Sequence, residues 1–513
     1  MKRLIASPYP KAFLAGAIAV FGFAPFDIFP LPVLALSVLF WLWSRAERPA
    51  QAAWLGFIFG MGLFCTGISW IYVALHEYGY MHPILAATAT ALFAAVNAAL
   101  PALAGYLQAK LKPFVVIRAN DAWIVLVMPA IWTFTEWLRG LLFTGFPWLS
   151  VGYSQVPASP LAGYAVLFGV YGVSLAVAAS AAMLLVLWNV RLGRPGKIAL
   201  AVLVLLWAGG AALRSIEWTR PGGEPLKVGL LQGNIAQDAK FAEDALTNTL
   251  ETYRRLAQSS DARLIVMPET ALPLLRRDVP ESYHAILSDH VRNNGGDILI
   301  GAFEKEDGKY YNSVYSLGSA ESQHYRKDHL VPFGEFIPLR SVFGWFINEV
   351  LDIPMGDLTS GGATQTPLNV AGQKVAVNIC YEDAFGEEII RALPQATLLV
   401  NVTNDAWYGD SYAAMQHNQL SQMRALETGR MMLRATNTGV TSVIGADGRI
   451  QAMLPQHEEG VLTAEVRGYE GRTPYVVWGN GAVLVLVGVM LLAAWLMHRR
   501  TSPLPPGDNQ RLG

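Results

Sequence analysis

The sequence predicts a membrane protein in which eight transmembrane helices carry one large, layered α/β domain on the outer side of the membrane. Hydrophobic residues make up 53% of the 513 residues and charged residues only 15%, against ~25% charged residues in soluble proteins. Long apolar stretches lie at both ends of the chain, and a segment of ordinary soluble composition separates them. This distribution disfavours a soluble globular protein and a disordered chain.

Eight apolar stretches approach the length of ~20 residues that a transmembrane helix needs. They lie at about 11–26, 29–44, 52–75, 83–108, 122–143, 160–190, 197–213 and 478–497. The first two are slightly short and are separated by a turn containing Pro25, Asp27 and Pro30, so a re-entrant hairpin is the alternative for this pair. A cleaved signal sequence is disfavoured, because no small-residue cleavage site follows the first stretch and a second apolar stretch comes at once.

The positive charges of the short loops predict the orientation, because Lys and Arg favour the cytoplasmic side. With the N-terminus inside, the inner segments hold Lys2, Arg3, Lys11, Arg45, Arg48, Lys110, Lys112, Arg118, Arg191, Arg194, Lys197, Arg499 and Arg500. The short outer loops hold Arg139 alone. This asymmetry predicts cytoplasmic termini and an outer location for the long middle segment.

The predicted domains are a seven-span region at 1–213, an outer domain at 214–475, an eighth span at 476–500 and a disordered tail at 501–513. In the outer domain, short aliphatic runs predict strands at Val228–Leu231, Leu264–Met267, Ile298–Ala302, Val375–Ile379, Leu398–Val402 and Val440–Ile444. Helical periodicity predicts helices at about 241–259, 280–294 and 413–434. Alternating strands and helices favour an α/β or α+β layered domain.

Several functions are disfavoured by composition. A net charge of −1 without a long basic run gives nucleic acid no electrostatic footprint. Two cysteines, Cys65 and Cys380, allow neither a disulfide framework nor a cysteine-based metal cluster. The outer histidines 284, 324 and 417 lack metal-ligand spacing, so we expect neither a metal nor another cofactor.

Three residues beside predicted strand ends could carry chemistry. Cys380 follows an apolar strand and is either a nucleophile or a buried core cysteine. Glu269 ends the run Leu264–Glu269 and fits a general base, with a helix cap or a surface acid as the alternative. Lys327 could lower the pKa of a thiol or stabilise an oxyanion, although most lysines are simply solvated, and nearby His329 could be the base instead. A base, a cation and a thiol together are what nucleophilic acyl transfer needs.

In these contexts Glu269, Lys327 and Cys380 resemble the Glu-Lys-Cys triad of the nitrilase, or carbon–nitrogen hydrolase, superfamily over about 226–466. Eight spans around such a domain resemble its membrane-bound apolipoprotein N-acyltransferase family. Further matching segments are Phe23–Asp27, Ser69-Trp70, Thr135–Arg139, Gly145–Trp148, Gln232–Asn234, Val331–Glu335, Asn404–Trp407 and Arg472–Tyr475. One difference is Phe241, which stands where the family has tryptophan.

The resemblance implies a nitrilase-like α-β-β-α domain and a role for each residue. Glu269 would be the base, Lys327 would hold the oxyanion with the backbone N–H of Tyr381, and Cys380 would attack the sn-1 ester of a phospholipid, expected to be phosphatidylethanolamine. The thioester would then acylate the N-terminal cysteine amine of a diacylated apolipoprotein, which is the last step of lipoprotein maturation. Glu335 and Glu382 would hold Lys327 and the thiol in place.

The resemblance also implies a location in the bacterial inner membrane, and a monomer is assumed. Candidate substrate-binding residues are Gln237, Phe241, Trp148, Tyr153, Trp345 and Trp407. The apolar segment Phe343–Ile347 is either a mobile lid over the site or a core-packing insertion. Trp148 and Tyr153 either line the cavity or belong to the aromatic belt of a bilayer interface.

Two other functions remain open at this point. A membrane-tethered amidase or nitrilase would use the same three residues with water as the acceptor. A transporter or receptor with an outer ligand-binding domain would need no acyl chemistry. It is disfavoured because the spans lack an internal repeat and midplane charges.

Overall fold

The computed structural model describes residues 7–112, 123–191, 193–237, 243–337 and 358–501. The longer helices of the N-terminal part are α1 (Pro8–Ala19), α2 (Pro30–Ser44), α3 (Pro49–Gly67), α4 (Pro83–Leu111), α5 (Met128–Arg139), α6 (Ala165–Val190) and α7 (Arg194–Leu213). Short helical segments lie between them at Val20–Gly22, Trp70–Val73, Ala74–Tyr78, Trp123–Val127, Leu142–Thr144, Tyr153–Gln155 and Pro160–Tyr164.

Every predicted span contains a helix, but the helices differ in length. Among the described residues, four are long and apolar enough to cross a membrane: α3, α4, Pro160–Val190 and α7. Helix α2 and the C-terminal Gly481–Met497 are apolar but shorter, and α1 and α5 have 12 residues each. Four candidate spans therefore have structural support, and the total of eight stays a prediction.

The outer domain contains two sheets in its described part. The first has strands β1 (Thr219–Gln232), β2 (Leu264–Val266), β3 (Leu272–Leu275), β4 (Asp297–Glu306), β5 (Lys309–Gly318), β6 (His324–Arg326) and β13 (Gly460–Gly471). The second has β7 (Leu368–Val370), β8 (Gln373–Ile379), β9 (Leu398–Thr403), β10 (Met432–Thr436), β11 (Ser442–Ile444) and β12 (Ile450–Met453). Their orders are β13-β1-β2-β4-β5-β6, with β3 also on β4, and β12-β11-β10-β9-β8-β7.

Alternating burial shows how the two sheets form layers. Leu264 and Val266 of β2 share a core with Val377 and Val400 of the second sheet, so the sheets pack face to face. The neighbouring Ile265 points the other way, into a core beneath α8 (Glu243–Gln258) and α9 (Glu281–Asn293). On the outer face of the second sheet, Leu399 and Met432 pack against α10 (Ala413–Thr428) and the short helix Gly386–Ile389. This is the expected α-β-β-α order of layers.

Helix α10 also contacts the N-terminal helices, and all its residues except Met415 are buried. The predicted helix at 413–434 was too long. It ends at Thr428 because Gly429 adopts the left-handed conformation, with φ of +64°. The chain then continues directly into β10. After the outer domain, a short helix at Pro474–Trp478 leads to α11 (Gly481–Thr501).

Candidate active site

Glu269, Lys327 and Cys380 meet at one edge of the two facing sheets. Strands β1, β2 and β4 are parallel, as are β8, β9 and β10. Strand β5 is antiparallel to both β4 and β6, so β6 runs in the same direction as β4. The three residues follow β2, β6 and β8, so the carboxyl ends of these strands bring them together. Relative exposures of 7%, 1% and 8% show that all three are buried.

Cys380 occupies a sharp turn where β8 passes into the short helix Cys380–Ala384. Its φ of +55° lies in the left-handed region, which side-chain-bearing residues seldom adopt and which is frequent at active sites. Burial and then Glu269 raise the pKa of the Cys380 thiol well above its usual range, and Lys327 opposes them. The thiol is therefore protonated at neutral pH, and an attack by its sulfur would require a base.

Glu269 and Lys327 belong to one buried hydrogen-bond network with Glu335. The Lys327 ammonium donates to Glu335 at 2.9 Å and lies 3.6 Å from the Glu269 carboxylate. Asn312 Nδ2 donates to Glu269 at 2.7 Å and to Glu335 at 3.3 Å. Burial lowers the pKa of Lys327, but the two carboxylates outweigh it and raise this pKa above its ordinary value. A permanent cation thus stands beside the thiol.

Glu382 joins the cysteine turn to the loop that carries Lys327. Its carboxylate accepts from the backbone N–H of Ile379 at 2.6 Å, of Asp328 at 2.7 Å and of His329 at 3.1 Å. The Tyr325 hydroxyl also donates to it, at 3.0 Å. Burial raises the pKa of Glu382 to about 7, although Lys327 and the backbone donors oppose the shift. Glu382 thus connects the cysteine turn to the Lys327 loop, and its role in holding Lys327 and the thiol in place stays a prediction.

Two asparagines in the network were not predicted as site residues. Asn404, directly after β9, donates its backbone N–H to Glu269 at 2.9 Å and its side chain to Gln237 at 2.8 Å. Asn404 begins the segment Asn404–Trp407, which resembles the family. Its position directly after a strand was the sequence feature that could have indicated a site residue. Asn312 lies within β5, where no sequence feature distinguishes it from other strand residues. Gln237 is buried and is linked to Glu269 through the hydrogen bonds of Asn404.

The predicted aromatic residues form a junction between the outer domain and the N-terminal helices. Tyr381 donates its hydroxyl to the carbonyl of Gly145 at 3.1 Å, and its ring stacks on Trp148 at 6.4 Å. Tyr153 donates to the carbonyl of Ala384 at 3.0 Å. Trp148 and Tyr153 are each only 1% exposed, so both side chains pack inside the protein. Their contact with substrate stays a prediction.

Other predicted substrate-binding residues differ in how far the structure describes them. Trp407 is half-buried and its ring lies edge-on to Tyr78 at 6.5 Å. Phe241, Trp345 and the segment Phe343–Ile347 lie outside the described residues. The lid hypothesis therefore stays untested.

A buried charged cluster lies behind Cys380, and sequence analysis gave it no role. His417 Nδ1 lies 2.9 Å from Asp405, and its Nε2 lies 3.1 Å from Asp383. Arg434 donates to the same two carboxylates at 3.0 and 3.1 Å. All four side chains are fully buried. Two cations and two anions thus neutralise each other inside the domain.

Comparisons with known proteins match both parts of the chain. Residues 15–183 match the family model described as apolipoprotein N-acyltransferase N-terminal domain, and residues 227–475 match the carbon-nitrogen hydrolase model. The apolipoprotein N-acyltransferase of Nitrosomonas europaea is 51% identical and aligns over 96% of this chain and 97% of its own length. That of Methylococcus capsulatus is 43% identical over 98% of each chain. Among solved structures, the CN-hydrolase superfamily protein XC1258 of Xanthomonas campestris is 16% identical, with a TM-score of 0.35, over 56% of this chain and 100% of its own.

Proposed function

Because the chain belongs to the apolipoprotein N-acyltransferase family of the carbon–nitrogen hydrolase superfamily, we propose that it moves an acyl chain from the sn-1 position of a glycerophospholipid to the α-amine of a diacylated apolipoprotein. Membership makes it a membrane acyltransferase of lipoprotein maturation, with a lipid donor and an apolipoprotein acceptor. The observation that carries the mechanism is the buried contact of Lys327 with Glu269 beside the Cys380 turn.

In the first half-reaction, Glu269 takes the proton of the Cys380 thiol and the sulfur attacks the ester carbonyl carbon. A C–S bond forms, and the carbonyl oxygen becomes an oxyanion facing the Lys327 ammonium and the backbone N–H of Tyr381. The oxyanion then collapses and the C–O bond of the ester breaks. The departing glycerol oxygen takes the proton back from Glu269, which leaves a lysophospholipid and a thioester on Cys380.

In the second half-reaction, the α-amine of the apolipoprotein attacks the thioester carbonyl. A C–N bond forms, Glu269 accepts a proton from the nitrogen, and the C–S bond breaks. The thiolate is reprotonated by Glu269, and the amide product leaves. Donor and acceptor never need to occupy the site together, so the scheme is ping-pong.

The location of the substrates fits the proposed domain organisation. Donor and acceptor hold their acyl chains in the bilayer and their reacting groups at its outer surface. We place 1–213 and 476–500 in the inner membrane, and 214–475 on the periplasmic side. Phosphatidylethanolamine is the proposed donor and a monomer the proposed working unit.

Intact-protein mass spectrometry tests the covalent step. Purified protein is incubated with phosphatidylethanolamine and no acceptor, and the chain offers a matched pair of variants, Cys380→Ala and Cys65→Ala. We expect wild type and Cys65→Ala to gain one acyl chain that hydroxylamine removes, and Cys380→Ala to gain none. A diacylated lipopeptide should then discharge the adduct as an amide. Folded wild-type protein that binds lipid but gains no mass would contradict the mechanism, and release of free fatty acid without amide would favour an amidase.

A further inference from the structure

The buried charged cluster behind Cys380 reaches the backbone of the cysteine itself. His417 Nε2 lies 3.3 Å from the carbonyl oxygen of Cys380, and Asn401 Nδ2 donates to the same oxygen at 3.1 Å. Asn401 is in β9 and His417 in α10, so the carbonyl is held from two separate elements.

The charges around His417 make its Nε2 a hydrogen-bond donor. Burial and Arg434 lower the pKa of His417, but Asp383 and Asp405 outweigh them and raise it to about 9. Both ring nitrogens then carry protons at neutral pH. Nδ1–H faces Asp405, and Nε2–H is shared between Asp383 and the Cys380 carbonyl.

The carbonyl of Cys380 and the N–H of Tyr381 belong to one planar trans peptide, in which they point in opposite directions. Fixing the carbonyl therefore fixes the N–H. We infer that His417 and Asn401 are positioning residues that aim the Tyr381 N–H at the oxyanion. This inference rests on the proposed function, since an oxyanion forms only if the thiol attacks an ester or thioester.

Two reactions of Cys380 distinguish a cluster that positions the Tyr381 N–H from a cluster that only stabilises the domain. Misaiming the N–H slows a reaction that passes through an oxyanion. Alkylation of the same thiol by iodoacetamide displaces iodide at a saturated carbon and forms no oxyanion. The ratio of the two rates at Cys380 therefore separates loss of oxyanion stabilisation from loss of thiol reactivity or of fold.

Two substitutions of His417 form a matched pair. In His417→Asn the side-chain nitrogen lies near the position of Nδ1, which keeps a donor for Asp405 and removes the donor for the Cys380 carbonyl. In His417→Gln the nitrogen lies near the position of Nε2, which keeps the donor for the carbonyl. Asn401→Ala removes the second donor. Arg434 then loses its bond to Asn401 Oδ1 but keeps its pairing with Asp383 and Asp405, so this variant carries the test if His417→Asn does not fold.

The full-length protein in detergent is mixed with phosphatidylethanolamine, and the rate of acyl-enzyme formation is followed by intact mass. The rate of iodoacetamide alkylation is followed at the Cys380 peptide. Since losing an oxyanion donor costs ~10²–10³-fold, we expect the acylation rates of His417→Asn and Asn401→Ala to fall by roughly 10–100-fold. Their alkylation rates should stay near that of wild type, and His417→Gln should acylate close to the wild-type rate.

Two results would overturn the inference while leaving the proposed function intact. One is wild-type acylation by both His417→Asn and Asn401→Ala. The other is a parallel fall in acylation and alkylation, which would assign the cluster to the thiol or the fold. If wild type itself forms no acyl-enzyme, the proposed function fails and the inference fails with it.

Discussion

At the residue scale, the proposed chemistry depends on a neutral thiol beside a carboxylate. Burial and Glu269 raise the pKa of Cys380, so the reactive thiolate must be generated by a base at the moment of attack. Glu269 is oriented for this by Asn312 and by the backbone of Asn404. Because these two donors bind different oxygens of Glu269, a glutamine would keep one acceptor and turn its NH₂ group toward the other donor.

We predict that Glu269→Gln folds with lower stability than wild type and loses the first half-reaction. General-base catalysis contributes ~10²–10⁴-fold, and acyl-enzyme formation measured by intact mass should fall by a factor of that order. Glu321→Gln, at an exposed position of the same domain, is the control and should acylate normally. Wild-type acylation by Glu269→Gln would show that another group removes the proton.

A second residue-scale prediction concerns pH and stability. His417 faces Asp383, Asp405 and Arg434, and lies beside the Cys380 turn. Its pKa is raised from 6.5 to about 9 on folding. The folded protein thus binds its proton more tightly, and the resulting stability is complete below pH 6.5 and is lost as the pH rises through 9.

We expect the melting temperature in detergent to decrease between pH 6.5 and 9, with a contribution from His417 of at most about 1.4 kcal/mol per pH unit. His417→Gln should be less stable at pH 6.5 and should flatten this part of the curve, because glutamine does not titrate. An unchanged slope in His417→Gln would assign the pH dependence to another group.

The sequence indicated the three candidate site residues more readily than the residues that hold them. Glu269, Lys327 and Cys380 stand at strand ends, where a one-dimensional pattern can be recognised. Asn312 is in the middle of β5, and it reaches Glu269 only because β5 pairs beside β4 in the folded sheet. Such a partner depends on tertiary geometry, which a single sequence does not contain.

At the element scale, Glu382 ties the end of β8 to the loop after β6. It accepts hydrogen bonds from backbone groups on both. In Glu382→Gln one acceptor oxygen becomes an NH₂ group that faces N–H donors. We expect unfolding to become easier by ~1–3 kcal/mol, the cost of a buried unsatisfied polar group.

The same substitution should slow acyl-enzyme formation by roughly 10–100-fold, because a displacement of ~1 Å in the reacting groups costs that much. The exposed Glu465→Gln on β13 is the control for both measurements. If Glu382→Gln is destabilised but acylates normally, Glu382 supports the domain without positioning the site.

Helix α10 shows what a helical pattern cannot reveal. Its many polar residues are typical of a solvent-exposed helix, yet it lies between the second sheet and the N-terminal helices. Gln419 accepts from the backbone N–H of Ala24 at 3.1 Å and donates to Asp27 at 3.2 Å and to the carbonyl of Val156 at 3.1 Å. Polar residues on this helix are therefore paired across the junction.

Removing Gln419 should loosen the junction. We predict that Gln419→Ala leaves the buried Ala24 N–H and Val156 carbonyl without this partner, while water can replace it at the exposed Asp27. Stability should fall by ~1–3 kcal/mol per buried group left unpaired, measured as melting temperature in detergent. Gln258→Ala, at an exposed position of α8, should change it little. Equal melting temperatures for the two variants would mean that the junction contributes nothing to stability.

At the scale of the whole molecule, the orientation of the domains can be tested directly. In a Cys65→Ser, Cys380→Ser background we propose Glu321→Cys, in the outer domain, and Lys110→Cys, near the end of α4. A small charged maleimide added to intact cells should label Glu321→Cys, and should label Lys110→Cys only after the inner membrane is permeabilised. The reverse pattern would invert the topology predicted from the loop charges.

The helical architecture was predicted in outline, because apolar composition is a strong signal. The ends of the helices were less predictable. The span predicted at 52–75 breaks at Gly67, and the span predicted at 122–143 holds a 12-residue helix that ends at Arg139. Arg139 turns inward to donate to the carbonyl of Trp148 at 2.7 Å. That bond belongs to the junction, which becomes visible only in the folded protein.

The full burial of α10 limits how this protein can change or be rebuilt. A soluble hydrolase domain can be moved between proteins as a module, because its outer helices face water. Here the outer helix of one sheet also serves as packing for the membrane part, through Gln416 with Trp148 and Gln419 with Ala24. A chimera that exchanges only the outer domain would break those pairs. The domain and the loops around Ala24 and Trp148 must therefore be exchanged together.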